Sequence, residues 1–275
     1  MRPPDVADSR GADDSDWKRN ESTGSAICRI ADFLGARSLV AVTGGGGKTT
    51  LLAALAEHVS KTRNVLVTTT TKLCADDAEN LVLGKTNAAM LRHAFAEKNF
   101  LTLADRVENG KLIGVAPEAL DGLFRGGVAD HVLVEADGAR RMPFKAYESW
   151  EPVVPSTATL QIVVVGAEIF FEIASEKNIF RLDLLRDRYG VEPGRIVPFE
   201  TIVRLLESRD EYLRGAPSGA HRVLVINKCD LFPNSNEAKK IADGLARSLA
   251  SYDALLLASF ERDALHEYRP LERRA

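Results

Sequence analysis

A chain of 275 residues, 45% of them apolar, can bury one substantial core but is too short for several large domains. Its 36 basic and 39 acidic residues give a net charge of −3, so nothing general draws it to nucleic acid, and no apolar run approaches a membrane span. Three cysteines without CxxC spacing argue against a disulfide framework or a zinc knuckle, which leaves a reduced, cytoplasmic protein as the expectation.

Residues 1–25 are rich in Asp, Ser, Gly, Pro and Arg and lack apolar periodicity, so a disordered N-terminal tail is expected there. A short helical pattern at 27–34 precedes an apolar run at 38–43 that reads as a buried strand. Gly44, Gly45, Gly46, Gly47, Lys48, Thr49 and Thr50 follow, and then a helix over 48–60 with Leu51, Leu55 and Val59 on one face. A strand is expected at 64–70, where Thr68 to Thr71 are better read as strand chemistry than as phosphate ligands. Gly84-Lys85-Thr86 lacks a glycine array and reads as a loop. The pattern continues with a helix at 88–98 and an extended stretch at 100–103, and Asn109-Gly110 marks a two-residue hairpin. Buried strands are predicted at 131–135, 160–165, 222–226 and 254–258, with a helix at 234–250 opened by Asn234. The expectation is one α/β domain over 26–260 of the P-loop NTPase class. Its mostly parallel sheet is doubly wound, with helices on both faces and a small β-hairpin insertion, and a C-terminal tail follows at 261–275.

Glycines placed between a strand and a helix let backbone N–H groups converge on phosphate oxygens. Lys48 would neutralise phosphate charge, and the Thr49 hydroxyl would meet Mg²⁺. Val42 stands where the long form of the motif has glycine, so the match is to the shorter G-x-x-G-K-T-T form. Glu135 and Asp137 end a buried strand where open α/β sheets bind ligands; Asp137 is assigned to Mg²⁺ with Thr49, and Glu135 to positioning water. Asn227, Lys228 and Asp230 form an N-K-x-D pattern able to read a guanine edge. Arg140, Arg141 and Lys145, in a long loop beside these motifs, are candidates for an anionic second substrate.

The run Val42 to Thr50, the Glu135-Ala-Asp-Gly138 element leading into Arg140-Arg-Met-Pro-Phe-Lys145-Ala, and Glu151-Pro-Val-Val-Pro155 together resemble the YqeC family over about 27–258. Proteins of that family are described as accessory factors of selenium-dependent molybdenum hydroxylases. The resemblance implies a nucleotide-driven role in making or inserting a selenium-containing molybdenum cofactor, with a molybdenum hydroxylase or its cofactor as partner. The phosphate loop is also similar to that of Mur-type ligases, and the Glu135 strand with Asn227 to Asp230 is similar to metallocentre-assembly GTPases. GTP or ATP is the expected nucleotide, with GTP slightly favoured. A kinase or ligase acting on a small acidic substrate and a nucleotide-switched cofactor chaperone are the alternatives, and analogy leaves a homodimer open.

Overall fold

The computed structural model describes residues 24–75, 78–84 and 88–274. The tail expected at 1–25 therefore lies outside the described residues up to residue 23, as do residues 85–86 of the second Gly-Lys-Thr. Ser25 belongs to the domain, because its hydroxyl accepts from the Cys28 amide and caps α1 (Ala26–Ala31).

A sheet of nine strands forms the centre of the molecule. In chain order its strands are β1 (Ser38–Gly44), β2 (Val65–Thr69), β4 (Leu81–Leu83), β5 (Phe100–Ala104), β8 (His131–Glu135), β10 (Leu160–Gly166), β12 (His221–Asn227), β13 (Ala254–Ser259) and β14 (Ala264–Pro270). The spatial order is β14-β13-β12-β10-β1-β8-β2-β5-β4, and every pairing is parallel except β13 with β14. The apolar runs read from sequence are strands buried along almost their whole length, as a sheet covered on both faces requires. Strand period sends alternate residues to opposite sides. Val40 and Val42 pack with Leu51 and Leu55 of α2 (Lys48–Val59), while Leu39 and Ala41 pack with Leu91 of α3 (Ala88–Phe95) and Leu120 of α4 (Pro117–Arg125). A further core holds Tyr147, Ile202 of α6 (Phe199–Leu206), Tyr212 and Leu245 of α7 (Ser235–Ser248).

The predicted hairpin is present as β6 (Arg106–Glu108) and β7 (Lys111–Ile113), with Asn109 and Gly110 both at positive φ in the turn. It is larger than expected, because β3 (Lys72–Cys74) adds to β7 and makes a three-stranded antiparallel sheet. Among the described residues, no helix is long and apolar enough to cross a membrane.

Two parts of the chain differ from the sequence reading. The expected C-terminal tail is instead an ordered sheet edge: Ala264–Pro270 runs antiparallel to β13, and Leu265 is buried. The segment between β10 and β12 carries β11 (Ile179–Phe180), which pairs with β9 (Phe144–Lys145), then α5 (Leu182–Tyr189) and α6. These elements are short, and α5 begins at Arg181 in a left-handed conformation without a side-chain cap, so no start signal marks it in the sequence.

Candidate functional site

The parallel register brings the site together. β1 lies between β8 and β10, with Val42 opposite both Glu135 and Ile162. Val42, where a longer loop would have glycine, is thus a buried strand residue, and the loop proper starts at Gly44. Gly44, Gly46 and Gly47 have φ of 97°, 78° and 125°, a region that L side chains avoid. At Gly45 the constraint is contact, since a Cβ there would lie 2.5 Å from the Met142 carbonyl oxygen.

The first half of the glycine run is tied to the protein. The Gly44 amide donates to Asp137 Oδ2 at 2.8 Å, that of Gly45 to the Val164 carbonyl at 2.9 Å and that of Gly46 to the Met142 carbonyl at 2.9 Å. Of the run expected to cradle phosphate, that leaves Gly47, Lys48, Thr49 and Thr50, where α2 opens and the first-turn amides have no intrahelical acceptor.

Lys48 Nζ lies 2.9 Å from Asp137 Oδ1 and 3.8 Å from Glu135 Oε1, and it donates to the Gly44 carbonyl at 2.6 Å. Burial alone would lower its pKa, but the two carboxylates more than offset this and raise it above 10.5, so the ammonium stays charged. Thr49 Oγ1 donates to Glu135 Oε2 at 2.9 Å.

The two strand-end carboxylates share a side, as their spacing predicts, and both reach Lys48, but they sit in different settings. Asp137 is completely buried: burial raises its pKa, yet Lys48, Lys145 and the Gly44 amide more than compensate and hold it below 3.8. Asp137 thus organises the loop from beneath. The expected pairing of Thr49 with Asp137 is replaced by Thr49 with Glu135, because β8 ends at Glu135 and Asp137 lies under the loop. A hydroxyl and a carboxylate side by side at a helix N-terminus are hard oxygen donors suited to Mg²⁺, which keeps most of its own waters. A site of this kind needs no cage of carboxylates, and the described residues contain no group of three or more His, Cys, Asp or Glu placed to hold a metal.

Lys145 is likewise not in the cleft. It is fully buried, paired with Glu151 Oε2 at 2.9 Å and Asp137 Oδ2 at 3.6 Å, and it donates to the Gly138 carbonyl at 2.7 Å. Burial pushes its pKa below 10.5 despite both carboxylates. It links the Glu-Ala-Asp-Gly element to Glu151 and does not await a substrate.

The cleft beside the loop encloses about 830 Å³ and is lined by Gly46 to Thr50, Glu135, Arg140, Arg141, Phe180, Arg181 and Lys228, with Lys72 and Lys111 from the small sheet. Arg140 and Arg141 are exposed there. Arg181, which also pairs with Glu151, and Phe180 come from a distant segment and carry no sequence signal. Thr68, Thr69 and Thr70 spend their hydroxyls on the carbonyls of Leu103, Glu135 and Val153.

Asn227 ties two structures together: its Nδ2 donates to the Gly46 carbonyl at 2.7 Å and its Oδ1 accepts from the Phe260 amide at 2.9 Å. Lys228, at positive φ, pairs with Glu168 and lines the cleft; Asp230 is outside the lining and accepts from Ser259 Oγ at 2.7 Å. Ser259 and Phe260 are residues that sequence reading missed, because their contacts depend on β13 lying beside β12.

Comparison with known proteins places the chain in a family. A family model described as YqeC protein matches residues 40–183, which include the glycine run, both strand-end carboxylates and Arg181. A protein of Escherichia coli (strain K12) described as "Uncharacterized protein YqeC" is 33% identical over 194 residues, covering 70% of this chain and 76% of that relative. The chain belongs to the YqeC family.

Proposed function

We propose that the protein is a Mg²⁺-dependent nucleotide-binding accessory protein that hydrolyses a nucleoside triphosphate. The observation that carries this reading is the meeting of Lys48, Thr49 and Glu135 at the opening of α2 within one basic cleft. The amides of residues 47–50 and Lys48 hold the β- and γ-phosphates, and Thr49 with Glu135 hold Mg²⁺. The ion, when bound, neutralises charge that builds up on the phosphates. Asp137 keeps Lys48 charged and aimed, and Asn227 fixes the loop at Gly46.

GTP is proposed ahead of ATP. Asp230, oriented by Ser259, can accept from N1–H and the exocyclic amine of guanine, and Lys228 supplies a stem to cover the base. A role in maturing a selenium-containing molybdenum cofactor or hydroxylase is proposed from the family resemblance.

The test is binding and turnover of GTP and ATP with Mg²⁺ by the wild type, Lys48→Ala and Asp230→Ala. Lys48→Ala is expected to lose hydrolysis by about 10²-fold or more, and Asp230→Ala to lose its preference for GTP. Normal turnover by Lys48→Ala would overturn the assignment, whereas equal use of ATP by the wild type would move the base site elsewhere. The exposed Arg140 and Arg141 facing the loop favour a second reading, transfer to a bound acidic acceptor, which predicts hydrolysis stimulated by that acceptor.

A further inference from the structure

The cleft carries more positive charge than the nucleotide site described above uses. Its lining carboxylates, Glu135 and Glu151, are already engaged by Thr49 and Lys48 and by Lys145 and Arg181, respectively.

Across from the glycine loop, Lys72 and Lys111 of the small sheet line the same space, while Glu108, opposite Lys111 on β6, is paired with Arg106 at 3.1 Å and is not among the lining residues. Cys74 lies opposite Lys111 in the antiparallel ladder and Lys72 is two residues before Cys74, so Lys72 and Lys111 share a face. Leu73 and Leu112 occupy the other face and pack with Ala104, which fixes the orientation of the sheet. Arg140 completes the wall, its guanidinium carbon 4.9 Å from the centroid of the Phe180 ring, while that of Arg181 is 4.6 Å from the same centroid. Among the described residues, Lys72, Lys111 and Arg140 pair with no carboxylate. Arg140, Arg141 and Arg181 have φ of 49°, 62° and 62°, a conformation uncommon outside glycine and concentrated at functional sites.

We propose that Lys72, Lys111 and Arg140 form a second anion subsite in this cleft, and that it takes a small molecule bearing a group of the diphosphate class. A single phosphate ester carries about 1.5 to 2 negative charges near neutral pH, which leaves three cations under-neutralised; two linked phosphates match them. The inference rests on the reading of residues 47–50 and Lys48 as the nucleotide site, since it assigns these cations to a different ligand.

The experiment is calorimetric titration of inorganic pyrophosphate, without nucleotide, into the wild type, Lys48→Ala, and the triple variant Lys72→Ala/Lys111→Ala/Arg140→Ala, with citrate as a second probe. The wild type is expected to bind a pyrophosphate at each subsite. Lys48→Ala should keep the second subsite, and the triple variant should keep the loop site while losing the other by about tenfold or more in affinity. If the triple variant does not fold by circular dichroism, Lys111→Glu alone decides, with the same loss expected at the second subsite. A triple variant, or in its place Lys111→Glu, that titrates like the wild type overturns the subsite, and citrate binding as tightly as pyrophosphate overturns the diphosphate class. If Lys48→Ala titrates like the wild type and GTP and ATP fail to bind, the nucleotide reading fails. The subsite is still judged by the triple variant.

Discussion

Asp137 shows how one buried carboxylate can order a loop without lining the cleft beside it. It receives the Gly44 amide and faces two ammonium groups, Lys48 at 2.9 Å and Lys145 at 3.6 Å. Its pKa is lowered in the fold, so its contribution to stability is fully present above the ordinary value of 3.8 and is lost as pH falls through the lower folded value. Urea midpoints measured across that acid range should therefore decline in the wild type and be flatter in Asp137→Asn. At neutral pH the same variant should be less stable by about 3–5 kcal/mol, because two buried cations lose their shared partner. Glu135 sits in a different setting, in contact with the Thr49 hydroxyl at the cleft. Glu135→Gln is expected to fold normally and to slow phosphate release by about 10²-fold, with the Mg²⁺ requirement shifted to higher concentration. An unchanged Mg²⁺ dependence would remove Glu135 from the metal site.

Among the elements, β14 carries the clearest consequence. Its antiparallel pairing covers the outer edge of β13, and Leu265 joins the core that also holds Leu51, Val225 and Leu256. Leu265→Ala should cost about 2–5 kcal/mol in denaturant unfolding, whereas a loose tail would give no change. The stretch was hard to read because His266, Glu267 and Arg269 interrupt its apolar residues, as suits an edge strand that is only partly covered. The hairpin at Asn109-Gly110 was legible for the opposite reason: the residue types that tolerate positive φ stand together there. Its attachment to β3 was not, since nothing local to residues 72–74 specifies a partner nearly forty residues away.

At the scale of the whole molecule, the strand order places the glycine loop, both carboxylates, Asn227 and the Ser259-Phe260 corner at the carboxyl ends of β8, β1, β12 and β13, with β10 between β1 and β12. A nucleotide that binds there selects the folded state, so saturating Mg²⁺ with the preferred triphosphate at about a hundred times its Kd should add roughly 2.7 kcal/mol of stability. A thermal shift seen in the wild type and lost in Lys48→Ala would bear this out, while equal shifts in both would place the nucleotide elsewhere.

The sequence by itself determined the α/β class, the buried parallel strands, the glycine run with Lys48 and Thr49, and the position of Glu135 and Asp137 at a strand end. Each of these is written in local spacing, apolar runs or glycines at a strand-to-helix turn. Tertiary structure decided which carboxylate faces Thr49, that Lys145 is spent on Asp137 and Glu151, that Asn227 braces Gly46, and that Arg181, Lys72 and Lys111 share one cleft. These outcomes depend on sheet order and depth of burial. A side chain's charge and reach are fixed by its type, but whether they meet a ligand or a buried partner depends on what distant segments pack against it.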